Sequence, residues 1–240
     1  MADFDIAAVF AHPDDAELVV GGTLALEAER GRRVAMIDLT RGESGTRGTP
    51  ETRAAEADDA ARILGVAHRE SLGLPDGLLA VIPQHKDALV AAIRRLRPAM
   101  ILLQHWEQRH PDHTAASRIV YDASFLAGLR NYRPDLGPAF RPRKLIYAPS
   151  TTEAVEIHPT FVVDVTPVWE TKMKAIGAFA SQFAPTAGET VPVPLDRFRA
   201  NMELAARRQG QRIGVEFGEG FVTREPLAIS DLCSLGGRSL

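Results

Sequence analysis

Short apolar runs alternate with helical patterns along almost the whole chain, and this alternation limits the possible folds more than any other feature of the sequence. The apolar runs predict strands over residues 6–10, 34–39, 69–72, 100–103, 144–147 and 161–165. The remaining patterns predict helices over residues 17–29, 51–64, 84–96, 114–126, 168–181 and 195–209. Strands separated by helices pair in parallel, and nearly continuous apolar character fits strands that are buried on both faces. The sequence therefore predicts an α/β fold, in which helices cover both faces of a mainly parallel sheet.

No internal repeat and no clear domain boundary interrupts this pattern. We therefore expect residues 1–240 to form a single domain, a three-layer sandwich around a Rossmann-like sheet that a C-terminal portion lengthens. Residues 130–143 are rich in Pro and Arg and predict a long surface loop.

Composition and charge narrow the class of protein. Hydrophobic residues make up 45 % of the chain and charged residues 25 %, which is typical of a soluble globular protein. The net charge of −3 has no basic stripe, which argues against nucleic acid and anionic membranes as partners. No apolar stretch approaches the ~20 residues of a membrane span, and the acidic start lacks the basic residues of a signal peptide. We expect a cytoplasmic protein. Its single cysteine, Cys233, excludes a disulfide framework within the chain and a multi-cysteine zinc site.

Two polar clusters each follow a predicted strand. Residues 11–17 read Ala-His-Pro-Asp-Asp-Ala-Glu and come directly after the first strand, and residues 109–113 read Arg-His-Pro-Asp-His and come soon after the fourth. Ligands of open α/β sheets bind at the carboxyl ends of the strands, so both clusters fall on the same rim of the sheet. If the two strands are neighbours, the clusters face one another.

The residue types in these clusters suit a divalent metal. His12 and Asp15 are three residues apart, so one turn presents both side chains to the same side. His113 would supply a third ligand from the second cluster. A catalytic zinc site typically combines three such protein ligands with an open position for water. The sequence therefore predicts a Zn²⁺ site formed by His12, Asp15 and His113.

A hydrolase also needs acid–base groups beside the metal. Asp14 adjoins Asp15 and would point to the other side of the turn, where it could act as a general base. His110 could stabilise an oxyanion or protonate a leaving amine, and Asp112 could orient and charge His110. Taken singly, each cluster is equally compatible with an ordinary helix start, because Asp is a common cap and Pro favours the first turn. Together they hold three of the seven histidines at two strand ends, which favours the functional interpretation.

Both clusters also resemble a known family. Residues 11–17 followed by Gly21-Gly22-Thr23 resemble the first signature of the LmbE-like (PIG-L) zinc deacetylases, and residues 110–113 resemble the second. Within that family, the chain is most similar to the N-acetylglucosaminyl-malate deacetylases of bacillithiol biosynthesis, through residues 39–49, 72–77, 181–183 and 218–221.

The resemblance implies a function and a role for each matching residue. It implies removal of the N-acetyl group from an N-acetylglucosaminide, in particular N-acetylglucosaminyl-malate, by a homo-oligomer such as a hexamer. It assigns His12, Asp15 and His113 to zinc, Asp14 as base, and His110, partnered by Asp112, as electrostatic stabiliser or acid. It further implies that Arg53 contacts substrate. Gln108 departs from the aspartate that we expect in many relatives, which leaves fine substrate placement open.

Several alternatives remain at this point. The substrate could be another acetylated sugar of the chitobiose type, or a thiol conjugate cleaved at its amide. A non-enzymatic sugar-binding or metal-storage protein would not need Asp14 and His110 together, and a nucleotide-binding module would need a phosphate-binding glycine pattern that the sequence lacks. Arg41 and Arg47 could contact a sugar hydroxyl or carboxylate or belong to an ordinary loop. Glu17 could lie near the metal or act as a first-turn acid on a helix.

Overall fold

A five-stranded parallel sheet forms the centre of the molecule. The computed structural model describes residues 2–150, 157–183, 195–231 and 236. The sheet has the strand order β3-β2-β1-β4-β5, and every neighbouring pair is parallel. Its strands are β1 (Phe4–Phe10), β2 (Val34–Thr40), β3 (His68–Leu74), β4 (Pro98–Gln104) and β5 (Lys144–Ala148). The prediction of an α/β fold with a parallel sheet is confirmed.

Helices cover both faces of this sheet. They are α1 (Asp15–Glu29), α2 (Pro50–Ile63), α3 (Pro83–Leu96), α4 (Pro111–Ala127), α5 (Trp169–Gly177), α6 (Ala180–Phe183) and α7 (Leu195–Gln211). Alternate residues of β1 enter two separate cores. Ile6 and Phe10 pack with α1, α2, α5 and α7, whereas Ala7 and Val9 pack with α3 and α4. Strands buried on both faces explain why the apolar runs were nearly continuous.

The starts of α2, α3 and α4 share one local cause. Each of these helices begins at a proline, whose fixed φ suits the first turn and whose missing N–H is not needed there. Thr49 caps α2 by accepting a hydrogen bond from the Thr52 N–H, and His110 caps α4 by accepting one from the Asp112 N–H. Because β1 and β4 are adjacent, the starts of α1 and α4 lie side by side at the carboxyl ends of these strands.

The C-terminal part differs from the prediction. The strand expected over residues 161–165 is β6 (Phe161–Asp164), but it pairs antiparallel with an unpredicted strand, β7 (Gly218–Phe221), in a separate two-stranded sheet. The helix expected over residues 168–181 is divided into α5 and α6, and α5 ends at Gly177, a residue that disfavours helix. Cys233 lies outside the described residues.

A buried carboxylate attaches β7 to α1. Glu219 accepts hydrogen bonds from the backbone N–H groups of Gly22 and Thr23, at 2.9 and 2.7 Å, and its Oε1 lies 2.6 Å from Lys172 Nζ. A Cβ on Gly22 would lie 2.8 Å from the side chain of Val165. Glycine at this position therefore permits the close approach of β6 and β7 to α1. Among the described helices, none is long and apolar enough to cross a membrane.

Candidate metal centre

The structure brings together the three side chains that the sequence nominated as metal ligands. His12 follows β1, Asp15 begins α1, and His113 lies in the first turn of α4. His12 Nδ1 is 3.2 Å from Asp15 Oδ2, His113 Nε2 is 3.2 Å from Asp15 Oδ1, and the two ring nitrogens are 3.3 Å apart. Bonds of about 2.0–2.1 Å around a tetrahedral Zn²⁺ would separate neighbouring ligand atoms by about 3.3–3.4 Å. The spacing therefore fits one metal ion.

Hydrogen bonds from neighbouring side chains orient Asp15 and His113. Asp15 Oδ2 accepts bonds from the His12 backbone N–H at 2.9 Å and from Gln104 Nε2 at 3.0 Å. Gln104 also accepts a bond from the Ala11 N–H through its Oε1. His113 Nδ1 lies 3.4 Å from Gln108 Oε1, so the residue that departs from the expected aspartate contacts a ligand of the trio. Such partners fix the orientation of ligand groups.

Two carboxylates face the other nitrogen of His12. Its Nε2 lies 3.0 Å from Asp76 Oδ1 and 3.3 Å from Asp112 Oδ2. Burial alone would lower the pKa of His12, but its hydrogen bond to Asp15 and the charges of Asp15, Asp76 and Asp14 raise this pKa to about 9. The same surroundings hold the pKa of Asp15 well below its usual range, because hydrogen bonds from His113 and His12 overcome the opposing effect of burial.

Asp14 stands beside the metal trio on a strained backbone. Its φ is 100°, which is unusual for a residue other than glycine, and such strain is concentrated at functional sites. Its Oδ2 accepts a hydrogen bond from Arg53 Nη2 at 3.1 Å. Burial and the adjacent charge of Asp15 raise the pKa of Asp14 to about 8, although Arg53 opposes the shift. A pKa this close to neutrality allows Asp14 both to accept and to release a proton, as a general base must during turnover.

Arg53 is buried behind Asp14. Besides Asp14, its guanidinium donates to the backbone carbonyls of Pro13 and Gly42. Gly42 has a φ of 67°, which favours glycine, and a Cβ there would collide with Arg53 Nη1. Glycine at this position therefore leaves room for the Arg53 guanidinium. These contacts are with the Asp14 carboxylate and the backbone, and contact between Arg53 and substrate stays a prediction.

His110 is exposed and lies next to the trio. Its ring centroid is 5.0 Å from that of His12 and 4.7 Å from that of His113. Its Nδ1 accepts the Asp112 N–H, so the ring's other nitrogen carries the proton in the neutral form. Burial and the neighbouring imidazoles lower the pKa of His110, which favours that neutral form. In this form His110 carries an N–H donor at Nε2, on a ring that lies next to the rings of His12 and His113.

The Asp112 carboxylate has hydrogen-bond partners other than His110, although its charge acts on that ring and opposes the lowering of the pKa of His110. Its Oδ2 accepts the Gly77 N–H at 2.7 Å, its Oδ1 accepts the Leu79 N–H at 3.2 Å, and its carboxylate also faces His12. The hydrogen bond to His110 runs instead from the Asp112 backbone N–H. The physical reason is that His110 caps α4 from outside the helix, whereas Asp112 lies within the first turn and reaches the loop after β3.

The three residues whose roles the sequence left open have different surroundings. Glu17 is fully buried and pairs with Arg69, which also binds Asp38, and burial raises the pKa of Glu17. Arg47 Nη1 donates to the Gln182 carbonyl at 3.2 Å. Arg41 is exposed on the loop after β2. Glu17 thus belongs to a buried ion-pair cluster rather than to the metal trio.

Sequence reasoning missed Gln104 and Asp76. Gln104 is the last residue of β4, and Asp76 lies in the loop after β3. Asp76 falls within residues 72–77, one of the stretches that resemble the bacillithiol deacetylases, but nothing in its local sequence indicates a contact with His12. Only the folded arrangement of the rim loops reveals that contact.

Comparisons with known proteins agree with the resemblance. A conserved protein of known structure from Thermus thermophilus is 38 % identical, with a TM-score of 0.85 over 95 % of this chain and 98 % of that chain. A diacetylchitobiose deacetylase from Thermococcus kodakarensis is 30 % identical over 72 % of this chain and 67 % of its own length. A probable N-acetyl-alpha-D-glucosaminyl L-malate deacetylase 2 from Bacillus cereus is 30 % identical over 74 % of this chain and 83 % of its own length.

The relatives are not uniform in length or reaction. The matches span 60 to 67 % of the length of the first curated relatives. A 4-oxalmesaconate hydratase from Pseudomonas putida is 28 % identical over 72 % of each chain.

A family model supports the assignment of the chain to a family. The model described as PIG-L, GlcNAc-PI de-N-acetylase, matches residues 7–124, which include both histidine clusters. The chain therefore belongs to the PIG-L (LmbE-like) family.

Proposed function

We propose that the chain is a zinc-dependent deacetylase that hydrolyses the N-acetyl group of an N-acetylglucosaminide. The observation that carries this proposal is the trio of His12, Asp15 and His113, whose ligand atoms lie 3.2–3.3 Å apart, with Asp14 directly beside it. When bound, zinc would lower the pKa of a coordinated water toward ~7 and polarise the amide carbonyl. Named deacetylases of acetylated sugars among the relatives support the same reaction.

The protein's own groups have defined tasks in this reaction. Asp14 accepts the proton of the attacking water at its carboxylate, while Arg53 holds that carboxylate in place. His110 stabilises the negative charge that develops on the amide oxygen, because its ring faces the trio and its Nδ1 is engaged by the helix cap. The proton held on Asp14 then passes to the nitrogen of the leaving amine, and acetate is the second product.

For the substrate, we favour N-acetylglucosaminyl-malate. The Bacillus cereus relative and the four matching stretches of sequence support this choice. A chitobiose-type sugar is the alternative supported by the Thermococcus relative, and a thiol conjugate is a further alternative. A hydration reaction competes because a hydratase shares the family.

A panel assay on the zinc-loaded protein separates these functions. The substrates are N-acetylglucosaminyl-malate, diacetylchitobiose, an acetylated aminosugar thiol conjugate and 4-oxalmesaconate. Release of acetate and a free amine from the malate conjugate, with the highest kcat/KM of the panel, is the expected result. Turnover of 4-oxalmesaconate without any acetate release would refute the deacetylase proposal.

We also propose that the protein is a cytoplasmic homo-oligomer such as a hexamer. Light scattering of the purified protein measures the mass of the assembly and tests this proposal.

A further inference from the structure

Asp76 touches the metal trio without belonging to it. Its side chain is 8 % exposed, and it lies two residues after the end of β3. Asp76 Oδ1 is 3.0 Å from His12 Nε2, and Oδ2 accepts the Ser44 backbone N–H at 2.8 Å. Both carboxylate oxygens therefore have nitrogen partners within the protein.

The contact with His12 bears directly on metal binding. The Nδ1 of His12 faces Asp15 and His113, so this nitrogen must offer a lone pair to the ion. The proton of the neutral ring must then lie on Nε2, the nitrogen that faces Asp76. A carboxylate at the far nitrogen fixes this tautomer, holds the ring plane and raises the basicity of the ligand. Asp112 faces the same nitrogen at the longer distance of 3.3 Å.

Asp76 also binds the loop after β2. Its backbone N–H donates to Glu43 Oε1 at 3.0 Å, and its carbonyl accepts the Ser44 hydroxyl at 2.9 Å. The neighbouring Gly42 supplies the carbonyl that accepts a bond from Arg53, the residue that holds Asp14. Contacts thus run from the ligand His12 through Asp76 and this loop to Arg53.

We infer that Asp76 is a positioning residue that fixes the ring and tautomer of His12 for metal binding and connects this ligand to the loop after β2, whose Gly42 carbonyl accepts a hydrogen bond from Arg53. The inference rests on the metal site of the proposed function, but not on the identity of the substrate. It assigns Asp76 to the metal ligand rather than to the sugar.

Zinc affinity tests this role without any substrate. The apparent Kd is measured by competition with a chromophoric chelator for the wild type, D76A, D76N and the matched control S44A. Loss of the partner carboxylate should weaken zinc binding roughly 10- to 100-fold in D76A. D76N should lose less, because its amide oxygen can still accept from His12 Nε2. S44A removes the hydroxyl bond to the Asp76 carbonyl but leaves the carboxylate contacts, so its zinc affinity should match that of the wild type.

The outcomes separate this inference from the proposed function. Wild-type zinc affinity in both D76A and D76N would overturn the inference, and a raised KM in those variants would then place Asp76 on the substrate. Weakened zinc binding in a chain that deacetylates no sugar would support the inference while the proposed function fails. Thermal unfolding of the metal-free proteins checks folding; if D76A does not fold, the nearly isosteric D76N decides alone, with weakened binding supporting the role and unchanged binding overturning it.

Discussion

The two histidine clusters share the order His-Pro-Asp but use these residues differently. In the first cluster, His12 is a metal-ligand candidate and Asp14 stands beside the trio. In the second, His110 is a helix cap, and the Asp112 carboxylate faces His12 and accepts a hydrogen bond from the loop after β3. The fourth residue, Asp15 or His113, joins the trio in both clusters.

The difference comes from where each helix begins. α4 begins at Pro111, so the preceding histidine becomes its cap and its Nδ1 is occupied by a backbone N–H. α1 begins two residues beyond Pro13, at Asp15, and the chain reaches it through the positive φ of Asp14. A shift of two residues in the helix start thus frees His12 for the metal. Equal letters in a sequence acquire different chemistry from their position relative to a helix.

Replacing His113 or His110, the two histidines of the second cluster, by alanine should give the largest loss of activity and the clearest difference in zinc content. H113A removes a proposed zinc ligand, so we expect loss of zinc and of nearly all turnover. H110A keeps the trio, so we expect wild-type zinc content with kcat reduced roughly 10²- to 10³-fold, as when an oxyanion donor is lost. Metal analysis and acetate release measure both variants. Retention of zinc by H113A together with its loss from H110A would reverse the roles assigned to the two histidines of the second cluster.

Substitutions of the third residues of the clusters, Asp14 and Asp112, should also have different effects. D14N removes the proposed base, and we expect kcat to fall roughly 10²- to 10⁴-fold while zinc content stays at the wild-type level. Its matched control is D58N, an exposed aspartate on α2 that is not part of the trio, which should retain activity. Parallel loss of zinc and turnover in D14N would show that Asp14 acts on the metal site and not as a base.

In contrast to D14N, D112N should lower zinc affinity more than kcat at saturating zinc, and its effect should be smaller. Its carboxylate faces His12 Nε2, so we expect zinc affinity to fall roughly 10-fold, with kcat largely restored at saturating zinc. Chelator competition and turnover at two zinc concentrations measure this. If added zinc restores nothing and the pH profile of kcat shifts instead, Asp112 acts through His110 as the sequence first indicated.

The fold could be predicted where local pattern and burial coincide. The central strands are buried on both faces, and their apolar runs mark them directly. The short strand Gly218–Phe221 has two glycines and no such run, and it is placed by the distant contacts of Glu219 with α1. The end of α5 at Gly177 likewise could not be predicted, because the helical pattern of the sequence continues beyond it.

The candidate site could be predicted as far as its residues carry their own chemical signature. Histidines and aspartates at two strand ends identify the trio and Asp14 from sequence. The Arg53 guanidinium is held by the carboxylate of Asp14, which lies 39 residues away in the sequence. The partner of His12 Nε2 is Asp76, which lies in a separate loop. These contacts arise from the packing of rim loops and leave no periodic pattern in the sequence.

The prolines offer the finest test of the helix-start explanation. Pro111 begins α4, so P111A should mainly enlarge the freedom of the unfolded chain and cost about 0.4–1 kcal/mol of stability. For a chain of this size, that is a decrease in Tm of roughly 1–4 °C, with kcat unchanged. P13A should cost a similar amount but also lower kcat, because the fixed φ of Pro13 restrains the segment that leads into the strained Asp14. Thermal unfolding and acetate release, measured on both variants, compare the two positions. Equal kcat in P13A and P111A would mean that Arg53, and not the rigid proline, maintains the conformation of Asp14.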